Sequence, residues 1–269
     1  MEINELIIFD ISGPFAHFKT FYTNSSSLSY SFPPRTSIIG LIAAICGYER
    51  DSYYEEMNTD NYKITVSIKT PLKKSMYVMN YLYTKSKNDL NGSAGHTQIP
   101  LEVVLPSDIR EKNLKYRIYF AKKENGEQNG EQIIFNRFKE HLLSKKIAYP
   151  PYLGISEFIG KIEFIDLINK NNIEKITSND HIQEINSVVN LKNIKEKSLI
   201  FKPDKNKILN YLKEKAPLDF SNERFVKNFG YFIFEKNGNS LLLIPTENCY
   251  SIMYKDFNKE ISENIIFME

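Results

Sequence analysis

A chain of 269 residues with 42% hydrophobic and 25% charged side chains is long and apolar enough to close a real core, which excludes disorder as the bulk reading. Its net charge of +2 does not announce a polyanionic partner, so any such case rests on where the charges sit. Two cysteines, Cys46 and Cys249, are too few for a disulfide framework and are not in metal-ligand spacing, which suits a reducing compartment.

The opening residues MEINELIIFDISG carry acids and no basic flank, so they do not read as a signal peptide. No apolar run approaches the roughly 18 residues of a membrane helix. A cytoplasmic protein with no membrane partner is expected. Residues 6–11 read as a buried strand. Residues 17–36, HFKTFYTNSSSLSYSFPPRT, are polar yet rich in rings and have no acid. After Pro33 and Pro34, the stripe of Ile38, Leu41, Ile42 and Ile45 predicts a helix of about three turns, capped by Thr36 or Ser37 and closed at a left-handed Gly47.

Residues 61–70 alternate with β-branched side chains and predict a strand. Residues 75–84 and 99–105 predict a long hairpin across a polar tip. Another strand follows at 114–121, then a turn-rich loop KENGEQNGEQ. A second amphipathic helix is predicted over 133–147, with Ile134, Phe138, His141, Leu142 and Lys145 on one face. AYPPYLGISEF breaks it, and a strand follows at 160–165. The order β-α-β-(hairpin)-β-α-β is that of an α+β, ferredoxin-like domain with a hairpin inserted in the middle. Beyond residue 166 the pattern weakens. A helix is predicted over 204–215 and a hairpin over 230–244 turning at Asn237-Gly238. The expected division is 1–166 as the ferredoxin-like domain and 167–269 as a smaller β-rich appendage.

Residues 11–48 contain no Asp or Glu, and neither do residues 61–88, which hold Lys63, Lys69, Lys73, Lys74, Lys85 and Lys87. Average acid content would put about five and about three carboxylates there. If the two segments are neighbours they merge into one acid-free surface that suits a phosphate backbone. Hydroxyls and amides bond phosphate and ribose, and rings stack on unpaired bases. Arg35, just before a helix N-terminus, would offer an anion a guanidinium fork and free N–H groups. The candidate RNA contacts are His17, Phe18, Lys19, Tyr22, Asn24, Ser25, Ser26, Arg35 and Thr36, and on the hairpin Lys73, Lys74, His96, Thr97 and Gln98. Against this, Phe15, Phe21 and Phe32 are expected as core anchors, and lysines on strand edges commonly serve to block aggregation.

No P-loop, dinucleotide or zinc-protease signature is present, and His17, His96, His141 and His181 are scattered without ligand spacing; no metal or cofactor is expected. A metal-free ribonuclease needs a base, an acid and a cation. His17, Tyr22, Lys19 and Arg35, or His96 with Lys73 or Lys74, could supply such parts.

Three ordered motifs are recognisable: GPFAHFKTFYTNSSSLSYSFPPRTSIIGLIAAICGYERDSYYE, GHTQIPLEVVLP and PPYLGISEFIG. Together they span 13–160 and resemble the fifth CRISPR-associated (Cas) family in its type I-B form. The resemblance implies a member of the repeat-associated RNA-binding (RAMP) superfamily, with an RRM-related domain and a projecting hairpin, the thumb, at about 75–105. It implies a non-catalytic subunit of the Cascade complex that caps the 5′ handle of the crRNA in antiviral defence. The implied neighbours are the backbone subunit and the large subunit, with target DNA reached only through the complex. One branch of the family cuts precursor crRNA with a tyrosine, a lysine and a histidine, the last two adjacent. Tyr48 could stand for that tyrosine, but this chain has no Lys-His dipeptide. A metal-independent endoribonuclease is therefore the alternative reading.

Overall fold

The computed structural model describes residues 3–22, 27–81, 84–123, 132–177, 181–201, 209–246 and 249–269. Strand β1 (Glu5–Gly13) is the organising element because both of its faces are apolar. Ile7, Phe9 and Ile11 point into one core, and Leu6 and Ile8 into a second core on the opposite side. A strand with two apolar faces must be covered twice, and the rest of the chain does so.

The following elements are β2 (Phe18–Lys19), β3 (Ser29–Tyr30), α1 (Arg35–Ile45), β4 (Tyr62–Ile68), β5 (Leu72–Tyr81), the short α2 (Lys87–Leu90), β6 (Thr97–Pro106), β7 (Leu114–Lys122), α3 (Gln132–Leu143) and β8 (Lys161–Asn169). Strands β4, β7, β1 and β8 make one antiparallel sheet in that order. Both long helices cover its Ile7–Phe9–Ile11 face. Ile38, Ile39 and Ile42 from α1 meet Ile134, Phe135 and Phe138 from α3, and Phe138 sits edge-on to Phe9 at 5.1 Å. At roughly 1.5–3 kcal/mol per buried large apolar side chain, this layer is a main source of stability. The β5–β6 ribbon leaves the sheet as a separate two-stranded element, paired from Leu72↔Pro106 to Tyr81↔Thr97.

The remaining strands are β9 (Ile173–Ile176), β10 (Gln183–Ile185), β11 (Val189–Asn190), β12 (Tyr211–Phe220), β13 (Val226–Glu235), β14 (Leu241–Leu243), β15 (Cys249–Asp256) and β16 (Lys259–Ile265). They form small sheets ordered β16-β15-β9, β11-β13-β12 and β10-β14. Tyr250, Ile252, Tyr254 and Ile265 close the second face of the central sheet against Leu6, Ile8 and Tyr119. The molecule is a mixed α+β structure, mostly strands with few helices.

Four local expectations are corrected. The helix over 204–215 falls partly outside the described residues, and its described end is strand β12, held by a ladder to β13. Cross-strand pairing overrides an apolar spacing that also suits a helix. The Asn237-Gly238 turn forms, with Gly238 at φ +81 and the Glu235 carboxylate accepting from Asn237 N and Asn239 N. Its flanking strands do not pair with each other; β13 joins β12 and β11, and β14 joins β10. Helix α1 begins at Arg35, capped by extended Pro34 without a side-chain bond, not by Thr36 or Ser37. Gly47 does take the left-handed conformation, at φ +74. Helix α3 stops at Leu143, short of 147.

Candidate nucleic-acid interface

The polar, ring-rich segment is a strap lying along β6. Ala16 and Val104 exchange both backbone bonds, Ala16 N to Val104 O at 3.0 Å and Val104 N to Ala16 O at 2.8 Å. Ser27 N donates to Pro100 O, and Glu102 N donates to Ser27 O. Ser29 N donates to Glu102 Oε2 at 2.9 Å, and Ser31 gives both its N–H and its hydroxyl to Glu214. The hydroxyls of Ser27, Ser29 and Ser31 are thus engaged by groups within the protein, as burial requires. Asn24, Ser25 and Ser26 lie outside the described residues.

His17 is buried within this strap. Its Nδ1–H donates to Glu102 O at 2.7 Å, because a carbonyl can only accept, so Nε2 accepts from Ser27 Oγ at 2.9 Å. Burial holds its pKa below the usual imidazole value. Its place among the exposed RNA contacts is corrected: both ring nitrogens are engaged and the ring pins strap to ribbon. Phe18 is also corrected. It is 3% exposed and packs edge-on to Tyr116, so its face is closed to a base. Thr36 is buried at the start of α1. Of the expected anchors, Phe32 is buried against Phe232 and Phe234, whereas Phe15 and Phe21 are exposed.

Arg35 is the largest correction. Its side chain is 0% exposed. Nε donates to Glu269 Oε1 at 2.8 Å, Nη1 to Asp219 Oδ1 and Leu218 O, and Nη2 to Asn58 O and Tyr62 O. A guanidinium has no further N–H to offer. Arg35 staples the start of α1 to the β4 entry and to β12, and no phosphate reaches it.

The two acid-free stretches do meet where the strap crosses the ribbon, but carboxylates from elsewhere fill the junction. Lys74 Nζ bonds Ser29 O and pairs with Glu214 Oε1 at 2.9 Å and Glu102 Oε2 at 3.6 Å. Lys74 is therefore a buttress rather than a free cation. Lys69 is bonded to Glu263 in the same way.

What remains open to solvent is a smaller set. Lys19 and Lys73 are exposed and, among the described residues, have no carboxylate partner. Tyr22 is exposed and stands edge-on to Phe21 at 5.3 Å. His96 and Gln98 are exposed near the ribbon tip, and Thr97 is half-buried. Beside Lys19 and Phe21 a cleft of about 300 Å³ opens along α1, lined also by Tyr53, Tyr152, Phe220 and Arg224. That is the lower end of the size range for ligand pockets. Tyr48 lies under the Arg137 guanidinium at 5.4 Å, and burial raises its pKa.

A second surface escaped the sequence reading. On one face of β12–β13, Lys213 and Lys215 stand among the exposed rings of Phe229 and Tyr231. Lys215 Nζ is 3.6 Å from the Phe229 centroid, 5.8 Å from that of Tyr231 and 5.6 Å from that of Phe21. The signal is period two, Lys-x-Lys and Phe-x-Tyr. It is visible only once 211–220 is known to be a strand.

Among the described residues, no group of three or more His, Cys, Asp and Glu side chains could hold a metal ion, and no helix is long and apolar enough to cross a membrane. The family described as CRISPR-associated protein (Cas_Cas5) matches residues 6–232. The chain belongs to this family. Among solved structures it is similar to a CRISPR protein from Archaeoglobus fulgidus, at 11% identity and TM-score 0.49, over 97% of this chain and 100% of that one. It is also similar to a chain of a CRISPR RNA-guided surveillance complex, at 13% identity and TM-score 0.43, over 90% and 91%. A further crystal structure of a Cas protein is similar at 12% identity and TM-score 0.42, over 87% and 95%. No curated protein matches the sequence.

Proposed function

We propose that this chain is the subunit of a type I-B Cascade complex that binds crRNA and caps its 5′ handle without cutting it. The observation that carries the reading is family membership across residues 6–232. In this reading the β4-β7-β1-β8 sheet with α1 and α3 on one face is the ferredoxin-like unit, and the β5–β6 ribbon is the thumb. The contacts fall to the open part of the candidate set: Lys19, Tyr22, Lys73, His96 and Gln98. The backbone and large subunits are the protein partners, and target DNA is reached through the complex.

Support comes from the electrostatics of that surface. Lys19 and Lys73 are exposed and unpaired among the described residues. Each phosphate such a cation neutralises on a single strand changes the slope of log affinity against log salt by about 0.7. The test is binding of the purified protein to repeat-derived single-stranded RNA across a salt series. Changing Lys19 and Lys73 together to Ala should lower affinity and reduce the slope by about 1.4 while leaving the thermal midpoint unchanged. Salt-independent binding, or none, by the wild type would defeat the RNA reading. Cleavage of that RNA in EDTA to a 2′,3′-cyclic phosphate would defeat the non-catalytic part.

A further inference from the structure

We propose that the outer face of β12–β13 is a second single-stranded RNA surface, on which bases stack against Phe229 and Tyr231 while Lys213 and Lys215 take the phosphates. The inference rests on the RNA-binding reading and extends it to a region with none of the candidate contacts.

The chemistry of the patch is specific. The strand ladder places Lys215 opposite Tyr231 and Pro217 opposite Phe229, so these side chains share one face. Phe229 is 46% exposed and Tyr231 43% exposed. The two rings are nearly perpendicular, at 87° and 6.0 Å, which leaves ring faces open instead of sealing them against each other. Lys213 lies 5.0 Å from the Tyr231 centroid, and Lys215 is parked over Phe229. Among the described residues, neither lysine has a hydrogen-bonded or ion-paired carboxylate. Glu214, between them in sequence, points to the other face and is taken by Ser31 and Lys74. The acid at the far end of the patch, Glu55, is bonded to Lys227.

Exposed rings alone would suit a protein partner as well. Two unpaired ammonium groups interleaved with the rings favour a polyanion whose repeating unit is one flat face and one charge. A lysine held only by a ring can swing to a phosphate and release the ring face to a base. Phe21, within 5.6 Å of Lys215 Nζ, connects this patch to the Lys19 and Tyr22 side of the strap. One strand of RNA can therefore pass from one surface to the other.

The experiment uses the full chain and repeat-derived single-stranded RNA. Phe229→Leu with Tyr231→Leu keeps apolar bulk on the strand and removes the rings. It should weaken binding about 5- to 150-fold for each base that loses its stack, with an unchanged salt slope. Lys213→Gln with Lys215→Gln should reduce the salt slope by about 1.4. A 4-thiouridine-substituted RNA should cross-link to the peptide containing Phe229 and Tyr231. Both double variants binding with wild-type affinity and slope, while Lys19→Ala with Lys73→Ala binds less well, would overturn the second surface and leave the RNA reading standing. Wild-type protein with no salt-dependent binding would overturn both. Variants that keep RNA affinity but lose association with the other complex subunits would make the patch a protein interface and overturn the proposal. Thermal unfolding of each variant checks that the strand pair is intact.

Discussion

Replacing Arg35 by Met separates the buried staple from a phosphate contact more cleanly than any other change. Methionine keeps much of the aliphatic stem and removes all the donors. Asp219 would retain bonds from Thr59 N and Thr59 Oγ1, and Glu269 one from Ile64 N, so neither carboxylate is wholly abandoned. The carbonyls of Asn58, Tyr62 and Leu218 would lose the bonds Arg35 now gives them. Removing one partner of a buried ion pair costs about 3–5 kcal/mol. With about 2–4 °C lost per kcal/mol in a chain of this size, the thermal midpoint should fall by roughly 6–20 °C. Arg35→Lys should fall in between, since an ammonium keeps the charge but has three N–H donors for the five bonds that Arg35 makes. The assay is thermal unfolding followed by circular dichroism, with RNA binding measured well below both transitions. RNA affinity of the folded variant should equal wild type. A wild-type midpoint with weakened, less salt-dependent RNA binding would refute the staple and restore the contact that the sequence suggests.

Two further predictions concern the strap, and join those on the Lys19–Lys73 and β12–β13 surfaces. Burial holds His17 below its usual value of 6.5, so the folded chain prefers the neutral ring and the unfolded chain binds its proton first. Its stabilising contribution is complete above that value. It falls as pH drops from about 6.5 to the lower folded-state value and then levels off. The carbonyl of Glu102 and the charges of Glu102 and Lys19 modulate the position of that fall. Urea midpoints across this range should show the step in wild type and a flatter line in His17→Gln; an unchanged step would remove His17 as its source. Gly154 has φ +96, and a Cβ there would lie 1.9 Å from His17 O. Gly154→Ala should therefore lose at least about 2 kcal/mol, read as a lower urea midpoint at constant slope. A wild-type midpoint would mean the strap can move aside.

Local pattern alone placed the elements of the central sheet. The two apolar faces of 6–11, the helical stripe of Ile38, Ile42 and Ile45, and the alternation over 61–70 are short-range signals that carry their own periodicity. The left-handed Gly47 and the Asn237-Gly238 turn were legible for the same reason, since backbone conformation at a glycine is set within a few residues. The two exposed lysines, Lys19 and Lys73, were legible too, because nothing distant claims them.

Tertiary structure decided the rest, and it did so through partners far along the chain. Arg35 reads as a phosphate fork until Asp219 arrives from 184 residues away. The acid-free strap is neutralised by Glu214, 183 residues from Ser31. Residues 211–220 become a strand because β13 supplies a ladder, and only that ladder gathers Lys213, Lys215, Phe229 and Tyr231 on one face. Sequence composition tells which side chains carry charge. Which of those charges stay available to a ligand depends on what the fold packs against them, because a buried ion must find its counter-ion inside the protein.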